Sequence, residues 1–335
     1  MNFTSAVKKP ANCFIVILAL GVPSTVFSVR SAAQISEVRV NISPLWRERD
    51  PASLNVVEGA VGKRAPKGKF TFLKEDRSGT SAKFDVKDAD GTEWRVKMGE
   101  EARAEVAATR LVWAAGYLTD EDYFAAEIQV EGMPHLERGN DQVLPGGILR
   151  GVRLERRIPG QKKKAEWDWF DNPFIATREF SGLRIMMALI NNWDLKQVNN
   201  AVYVEKNGEV RYVVADLGAS FGRTGNPLTR SKSNWADYQE TKFIEKIMPE
   251  SVNFVLKSRP FILTAIDVPN YRTRTRMESI AKDIPRAHAR WLGQLLSRLS
   301  EEQIADCFRA AGYPPEGVAG FTSAVRARIA ELNQL

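Results

Sequence analysis

The stretch from Asn191 to Gly222, NNWDLKQVNNAVYVEKNGEVRYVVADLGASFG, constrains this chain more than any other. Two alternating runs, Ala201 to Glu205 and Val210 to Ala215, flank Asn207-Gly208. Asn-Gly between such runs is the strongest short hairpin signal, because a tight turn needs positive φ at both central residues. A two-residue turn sets Lys206 opposite Glu209. The same register, followed outward, predicts Asn199 opposite Asp216 at the open end of the hairpin. Asp194 lies just before, on a loop leading in from a helix. Three oxygen-bearing side chains gathered in this way suit a hard cation, Mg²⁺ or Mn²⁺, whose partners are carboxylates, water and phosphate.

The flanking sequence predicts an α+β chain with strands in the first half and helices in the second. Lys69 to Leu73 alternates as a strand. Lys83 to Lys87 and Thr92 to Lys97 form a hairpin around Asp88-Ala89-Asp90-Gly91. A helix is expected from about Glu100 to Ala115, stopped by Gly116. Tyr123 to Val130 and Gly151 to Arg157 read as further strands, and Gly160 to Trp169 as a basic loop ending in aromatics. Thr177 caps a helix reaching about Asn191, with Leu183, Met186, Met187 and Ile190 on one face. Residues 219–235 read as a long surface loop. Ser300-Glu301-Glu302-Gln303 is a capping box, and a last helix is expected over about Thr322 to Leu335.

The first residues read differently from the rest. Lys8 and Lys9 precede the short apolar run Cys13 to Val22, and Ser31-Ala32-Ala33 offers a cleavage point. That pattern predicts a secretory signal peptide over residues 1–33 and an exported protein. Its removal would take the formal charge from +7 to +4 and leave Cys307 as the single cysteine. No other stretch is long and apolar enough to span a bilayer. With only His135 and His288 besides that cysteine, a His/Cys zinc site is not expected, so acid–base chemistry falls to carboxylates and lysine. No zinc knuckle, aromatic stacking pattern or basic recognition helix points to nucleic acid.

Asp194-Leu195-Lys196-Gln197-Val198-Asn199 resembles the D-L-x-x-x-N part of the protein-kinase catalytic loop, and Asp216-Leu217-Gly218 resembles D-F-G. Lys97 ends a strand as the lysine of V-A-I-K does. Glu105 lies on the helix that follows, where the lysine's partner belongs, with Glu101 the other choice on the same face. Ser78-Gly79 lies between two strands, where the nucleotide-covering loop belongs. The resemblance implies a bilobal kinase-like fold that binds ATP and Mg²⁺ or Mn²⁺. It implies that Lys97, held by Glu105, binds the α- and β-phosphates under Ser78 and Gly79. Asp194 would orient or deprotonate the acceptor hydroxyl, Lys196 would neutralise the transferring phosphate, and Asn199 and Asp216 would hold the metal.

The sequence departs from that family in two places. Asn192-Trp193 replaces His-Arg before the catalytic aspartate, and the covering loop has Gly79 alone in place of G-x-G-x-x-G. These departures resemble the divergent groups: HipA-type kinases, phosphatidylinositol kinases and secretory-pathway kinases. The expected organisation is a leader (1–33), an N-terminal extension (34–68), an N-lobe (69–157) and a C-lobe with a helical end (158–335). The acceptor is a protein or small-molecule hydroxyl, and nucleotidyl transfer is an open variant. A non-catalytic pseudokinase that binds or scaffolds is the alternative from another class. A second is a serine hydrolase using Ser220 of Gly218-Ala219-Ser220-Phe221-Gly222, with Asp283 and His288.

Overall fold

A computed structural model describes residues 40–79, 81–224, 230–257 and 268–335. The expected leader, residues 34–39 of the extension and residues 225–229 of the predicted loop lie outside the described residues.

The first half of the chain closes into a barrel. Its strands are β1 (Phe70–Asp76), β2 (Lys83–Lys87), β3 (Glu93–Lys97), β4 (Asp122–Glu131) and β5 (Ile148–Arg156), in the order β1-β2-β3-β5-β4. β1 closes on β4 in parallel, Phe70 opposite Val130. Alternation decides which side chains go inward. Phe84, Val86, Trp94, Val96, Val152 and Leu154 fill the interior and expose almost nothing. α1 (Glu101–Ala114) leaves β3 after a short turn and packs against β4 and β5. Its stretch of small residues, Ala102, Ala104, Ala107 and Ala108, is fully buried and lets the helix lie close to its neighbours.

The second half is mainly helical. α2 (Arg178–Leu189) starts at Thr177, whose hydroxyl accepts from the Phe180 amide as the cap pattern requires. β6 (Lys162–Ala165), β7 (Asn200–Val204) and β8 (Val210–Val214) form a small sheet. The short α3 (Trp235–Gln239) follows, then a sheet of β9 (Ile244–Ile247), β10 (Ser251–Phe254) and β11 (Ile284–Pro285), with α4 (Val268–Ser279) before β11. α5 (Arg286–Leu296), α6 (Glu301–Arg309) and α7 (Pro315–Asn333) end the chain. The capping box at Ser300 and Gln303 is formed. The α+β division into a β-rich first half and a mainly helical second half is therefore as expected.

Four expectations change. Gly160 to Trp169 is not all loop, because Lys162–Ala165 pairs with the edge of β7 while its four side chains stay exposed. α7 begins at Pro315, well before Thr322, since a proline at the first helical position costs no hydrogen bond and the helix tolerates Gly317 and Gly320. The stretch after Asp216 is not a surface loop at its start. Phe221 is fully buried edge-on against Tyr238, Phe308 and Phe321, with ring centroids 5.2–5.5 Å apart. Burying such a ring contributes about 1.5–3 kcal/mol, which anchors the segment that carries Asp216.

The fourth change concerns residues 40–68, the described part of the expected extension, which contributes buried side chains to both cores. Leu45, Trp46 and Val56 are buried with the α1 and helical cluster, and Val61 with the barrel interior. Trp46 Nε1 donates to the Ala115 carbonyl at 2.8 Å. Gly116 makes that contact possible: its φ is +99°, and a Cβ there would stand 2.2 Å from Trp46 Nε1.

Candidate active site

The hairpin β7–β8 forms where Asn207-Gly208 predicts it, but in a different register. Val204 pairs with Val210 and Asn200 with Val214. The Glu205 amide donates to the Glu209 carbonyl and the Gly208 amide to the Glu205 carbonyl, both at 2.9 Å. The loop therefore holds three residues, Lys206 to Gly208, with Gly208 at φ +84° as its left-handed third residue. That extra residue slips the ladder by one. Asn199 faces Ala215, whose amide donates to the Asn199 carbonyl at 2.8 Å. The predicted Asn199–Asp216 pair does not exist as a ladder pair.

Asp216 reaches the site by another route. It leaves the ladder in the left-handed region, φ +54°, a conformation that Asn and Asp tolerate better than most residues. Its Oδ1 lies 2.6 Å from Lys97 Nζ. Lys97, at the end of β3, is only 3% exposed. It also meets Glu101 Oε2 at 2.7 Å and Glu105 Oε2 at 3.1 Å. Both glutamates that the sequence left open therefore hold the lysine, because they lie one turn apart on the face of α1 that looks at β3. Burial alone would lower the pKa of Lys97. Glu105, Asp216 and Glu101 outweigh it and raise the value far above that of a free lysine.

Behind Glu105 is a buried ionic cluster that the sequence did not announce. Arg153 Nη1, from β5, lies 2.8 Å from Asp122 Oδ1, 3.1 Å from Glu155 Oε2 and 3.4 Å from Glu105 Oε1. Glu105 thus has a cation on each oxygen. Burial pushes its carboxyl pKa upward while Arg153 and Lys97 hold against it. The sequence showed Arg153 only as part of a strand, with no sign that it would be buried among carboxylates.

Glu101 has the opposite balance. Burial raises its pKa, but Lys97 and Lys232 outweigh that and bring it down to about 2 from 4.5. A depressed carboxyl stabilises the fold above the unfolded value and loses that contribution as pH falls through the folded one. Glu101→Gln should therefore lower the melting temperature at neutral pH. The gap from the parent should close between about pH 4.5 and 2. Melts across that range check this, and a gap independent of pH would contradict it.

The loop carrying Asp194 is laced to the core from below. Asn192 Oδ1 accepts from the Asp194 amide at 3.0 Å. Asn191 Nδ2 donates to the Gly222 carbonyl at 2.9 Å, and the Phe221 amide donates to the Ile190 carbonyl at 2.8 Å. Arg328, buried on α7, donates to the Leu189 carbonyl at 2.7 Å, to Asn191 Oδ1 at 3.0 Å and to Thr241 Oγ1 at 2.6 Å. Asn192 stood in the sequence as half of the departure Asn192-Trp193 from His-Arg; here it braces the Asp194 amide, and Asn191 ties the loop to Gly222. Arg328 had no signal beyond being a charged residue in an apolar helix.

Asp194, Lys196, Asn199 and Asp216 line one cleft with Lys97, Glu105, Ser78 and Gly79. Its volume is about 640 Å³, within the usual range for small-molecule sites. Lys196 Nζ is 2.8 Å from Asp194 Oδ1. Asn199 Nδ2 donates to the Asp194 carbonyl at 2.8 Å, which leaves Asn199 Oδ1 as the atom able to ligate a cation. Among the described residues no group of three or more His, Cys, Asp or Glu side chains could cage a metal ion. One carboxylate and one amide oxygen beside a cluster of cations fit a divalent ion that arrives with phosphate oxygens of its own.

The rival constellation does not assemble. Ser220 is fully buried and its Oγ has no partner among the described residues. His288 Nδ1 pairs with Ser181 Oγ at 2.9 Å instead. An elbow nucleophile must stand exposed at a strand-to-helix turn, so the serine-hydrolase expectation is withdrawn. Among the described residues no helix is long and apolar enough to cross a membrane.

No protein-family model matches the chain, and no curated protein matches it either. Among solved structures it is similar in fold to kinases. One is the Helicobacter pylori proinflammatory kinase CtkA, at 10% identity and TM-score 0.47, covering 80% of this chain and 97% of that one. Another is the Golgi casein kinase, at 10% identity and TM-score 0.33, covering 78% and 74%. Likenesses this distant say nothing of chemistry, which rests on the cleft itself.

Proposed function

We propose that this chain is a divergent kinase-like phosphotransferase that moves the terminal phosphoryl group of ATP to an acceptor hydroxyl. One observation carries the reading. Lys97, Glu105 and Asp216, which lie on β3, α1 and the loop after β8, meet within 3.1 Å at the floor of a cleft that Asp194, Lys196 and Asn199 complete. A buried lysine among carboxylates is a poor way to gain stability, since desolvation offsets most of the attraction. It is a good way to hold a cation ready for phosphate.

The roles follow from position. Lys97, set by Glu105 and Glu101, binds the α- and β-phosphates. Asp194 accepts the proton of the acceptor hydroxyl. Lys196 balances charge on the transferring group and must leave Asp194 to do so. Asp216 and the free oxygen of Asn199 hold Mg²⁺ or Mn²⁺, which when bound neutralises charge on the phosphates. Export through residues 1–33 belongs to the same proposal.

The test uses the full chain. Nucleotide binding should appear only with Mg²⁺ or Mn²⁺, and slow hydrolysis of ATP to ADP should accompany it. Asp194→Ala should abolish turnover and leave binding within about twofold, because a proton acceptor contributes to the transition state more than to the ground state. Binding without turnover in the parent chain would favour a pseudokinase scaffold. Release of AMP would favour nucleotidyl transfer. No metal-dependent nucleotide binding would overturn the proposal.

A further inference from the structure

The covering loop between β1 and β2 carries Gly79 alone where the family it resembles uses several glycines, whose amides approach the phosphates. The structure contains a second cation at this position. Lys83, the first residue of β2, pairs directly with Lys97 across the β2–β3 ladder. Residues opposite one another in such a ladder point to the same face of the sheet, and both lysines line the cleft. A Cβ built on Gly79 would stand 3.7 Å from Lys83 Nζ, so the ammonium lies directly under the covering loop.

Lys83 is also poorly matched by its surroundings. Its side chain is 21% exposed, and its ion partner is Asp76 Oδ2 at 3.8 Å, beyond hydrogen-bonding reach. Asp76 is meanwhile held more closely by Arg95 Nη1 at 2.8 Å. Burial lowers the pKa of Lys83, Asp76 raises it, Arg95 lowers it, and Asp216 and Lys97 also act on it. It is thus within electrostatic range of both groups that define the floor of the site. A partly desolvated ammonium beside a second lysine is costly unless an anion joins them, and the anion this cleft is proposed to take is a polyphosphate.

We infer that Lys83 is a second phosphate-binding lysine, gripping the terminal phosphates of the nucleotide from beneath Gly79 in place of the backbone amides of a glycine-rich loop. The inference rests on the phosphotransferase reading and extends it. Lys97 holds the inner phosphates from the floor and Lys83 the outer ones from the roof, so the missing glycines do not leave the nucleotide uncovered.

The test is a binding series with the full chain, in Mg²⁺, using ATP, ADP and AMP as probes. Lys83→Met should weaken ATP binding by about tenfold or more, the range of one charge-assisted hydrogen bond. The loss should be smaller for ADP and absent for AMP, and Lys83→Arg should restore most of the ATP affinity. Thermal melts of the variant without nucleotide separate a folding defect from a binding one. Methionine is expected to leave the fold intact, since the ion partner it removes is distant. An equal loss for all three nucleotides, or ATP binding equal to the parent's, would overturn the role of Lys83 and leave the phosphotransferase reading standing. A parent chain that binds none of the three would overturn both.

Discussion

Asp216→Asn should abolish phosphoryl transfer, by about a thousandfold or more, while leaving the protein folded. The size follows from what a carboxylate at this position is proposed to do. It holds a divalent cation against the phosphates, and electrostatic stabilisation of this kind is among the largest single contributions an active site makes. The choice of asparagine follows from the backbone. Asp216 has φ +54°, a region where Asn and Asp are enriched and alanine is strained. Asparagine keeps the conformation, the volume and an oxygen for Lys97, and removes only the charge. Asp216→Ala would add a backbone cost of about 1 kcal/mol and confuse the reading. The checks are single-turnover kinetics and a melt. A variant that still turns over at a tenth of the parent rate would show that Asp216 is not a metal ligand in the reaction.

Arg153→Ala should be the most damaging change to stability, costing about 3–5 kcal/mol, the penalty for breaking a buried ionic cluster by removing one partner. Arg153 is 4% exposed and faces Asp122, Glu155 and Glu105. Asp122 exposes nothing, and its Oδ2 has no partner among the described residues. Burial raises the pKa of Asp122, and Arg153 is the chief force pulling it back. Without the guanidinium, Asp122, Glu105 and Glu155 would lose the cation they share, beside a fourth carboxyl, Asp120. They would bind protons that the unfolded chain releases, so the variant's deficit should shrink as pH falls from neutral towards about 5. Urea titrations at both ends of that range test the sign. An equal deficit at both would mean that the loss is one of packing and not of charge. Since Glu105 belongs to the same cluster, Lys97 should also be less firmly placed. Arg153→Lys, which keeps the charge but not the fork, should fall between parent and alanine variant.

Local patterns were legible in the sequence wherever neighbours along the chain decide them. β2 and β3 alternate and close on a turn, Thr177 and Ser300 cap helices, and Glu101 and Glu105 lie one turn apart behind Lys97. The members of the cleft were legible too, because Asp194 to Asn199 and Asp216-Leu217-Gly218 resemble two motifs of a known family. Their mutual placement was not. The register of β7 and β8 depended on whether Gly208 served as the second or the third residue of its loop, and Asn207-Gly208 permits both.

By itself, then, the sequence determined which residues line the cleft and on which elements they stand. Propensity, periodicity and capping are contacts within one or two turns of chain. The tertiary structure decided that Asp216 swings out of the ladder onto Lys97 and that Arg153 backs Glu105. It also decided that Arg328 holds the start of the loop carrying Asp194 from a helix more than a hundred residues away. The first two are meetings of charged groups distant in sequence, and Arg328 is a buried charge met by carbonyl, amide and hydroxyl oxygens. Buried charge is tolerated only where partners converge, and convergence is a property of the packed fold, which no local pattern encodes.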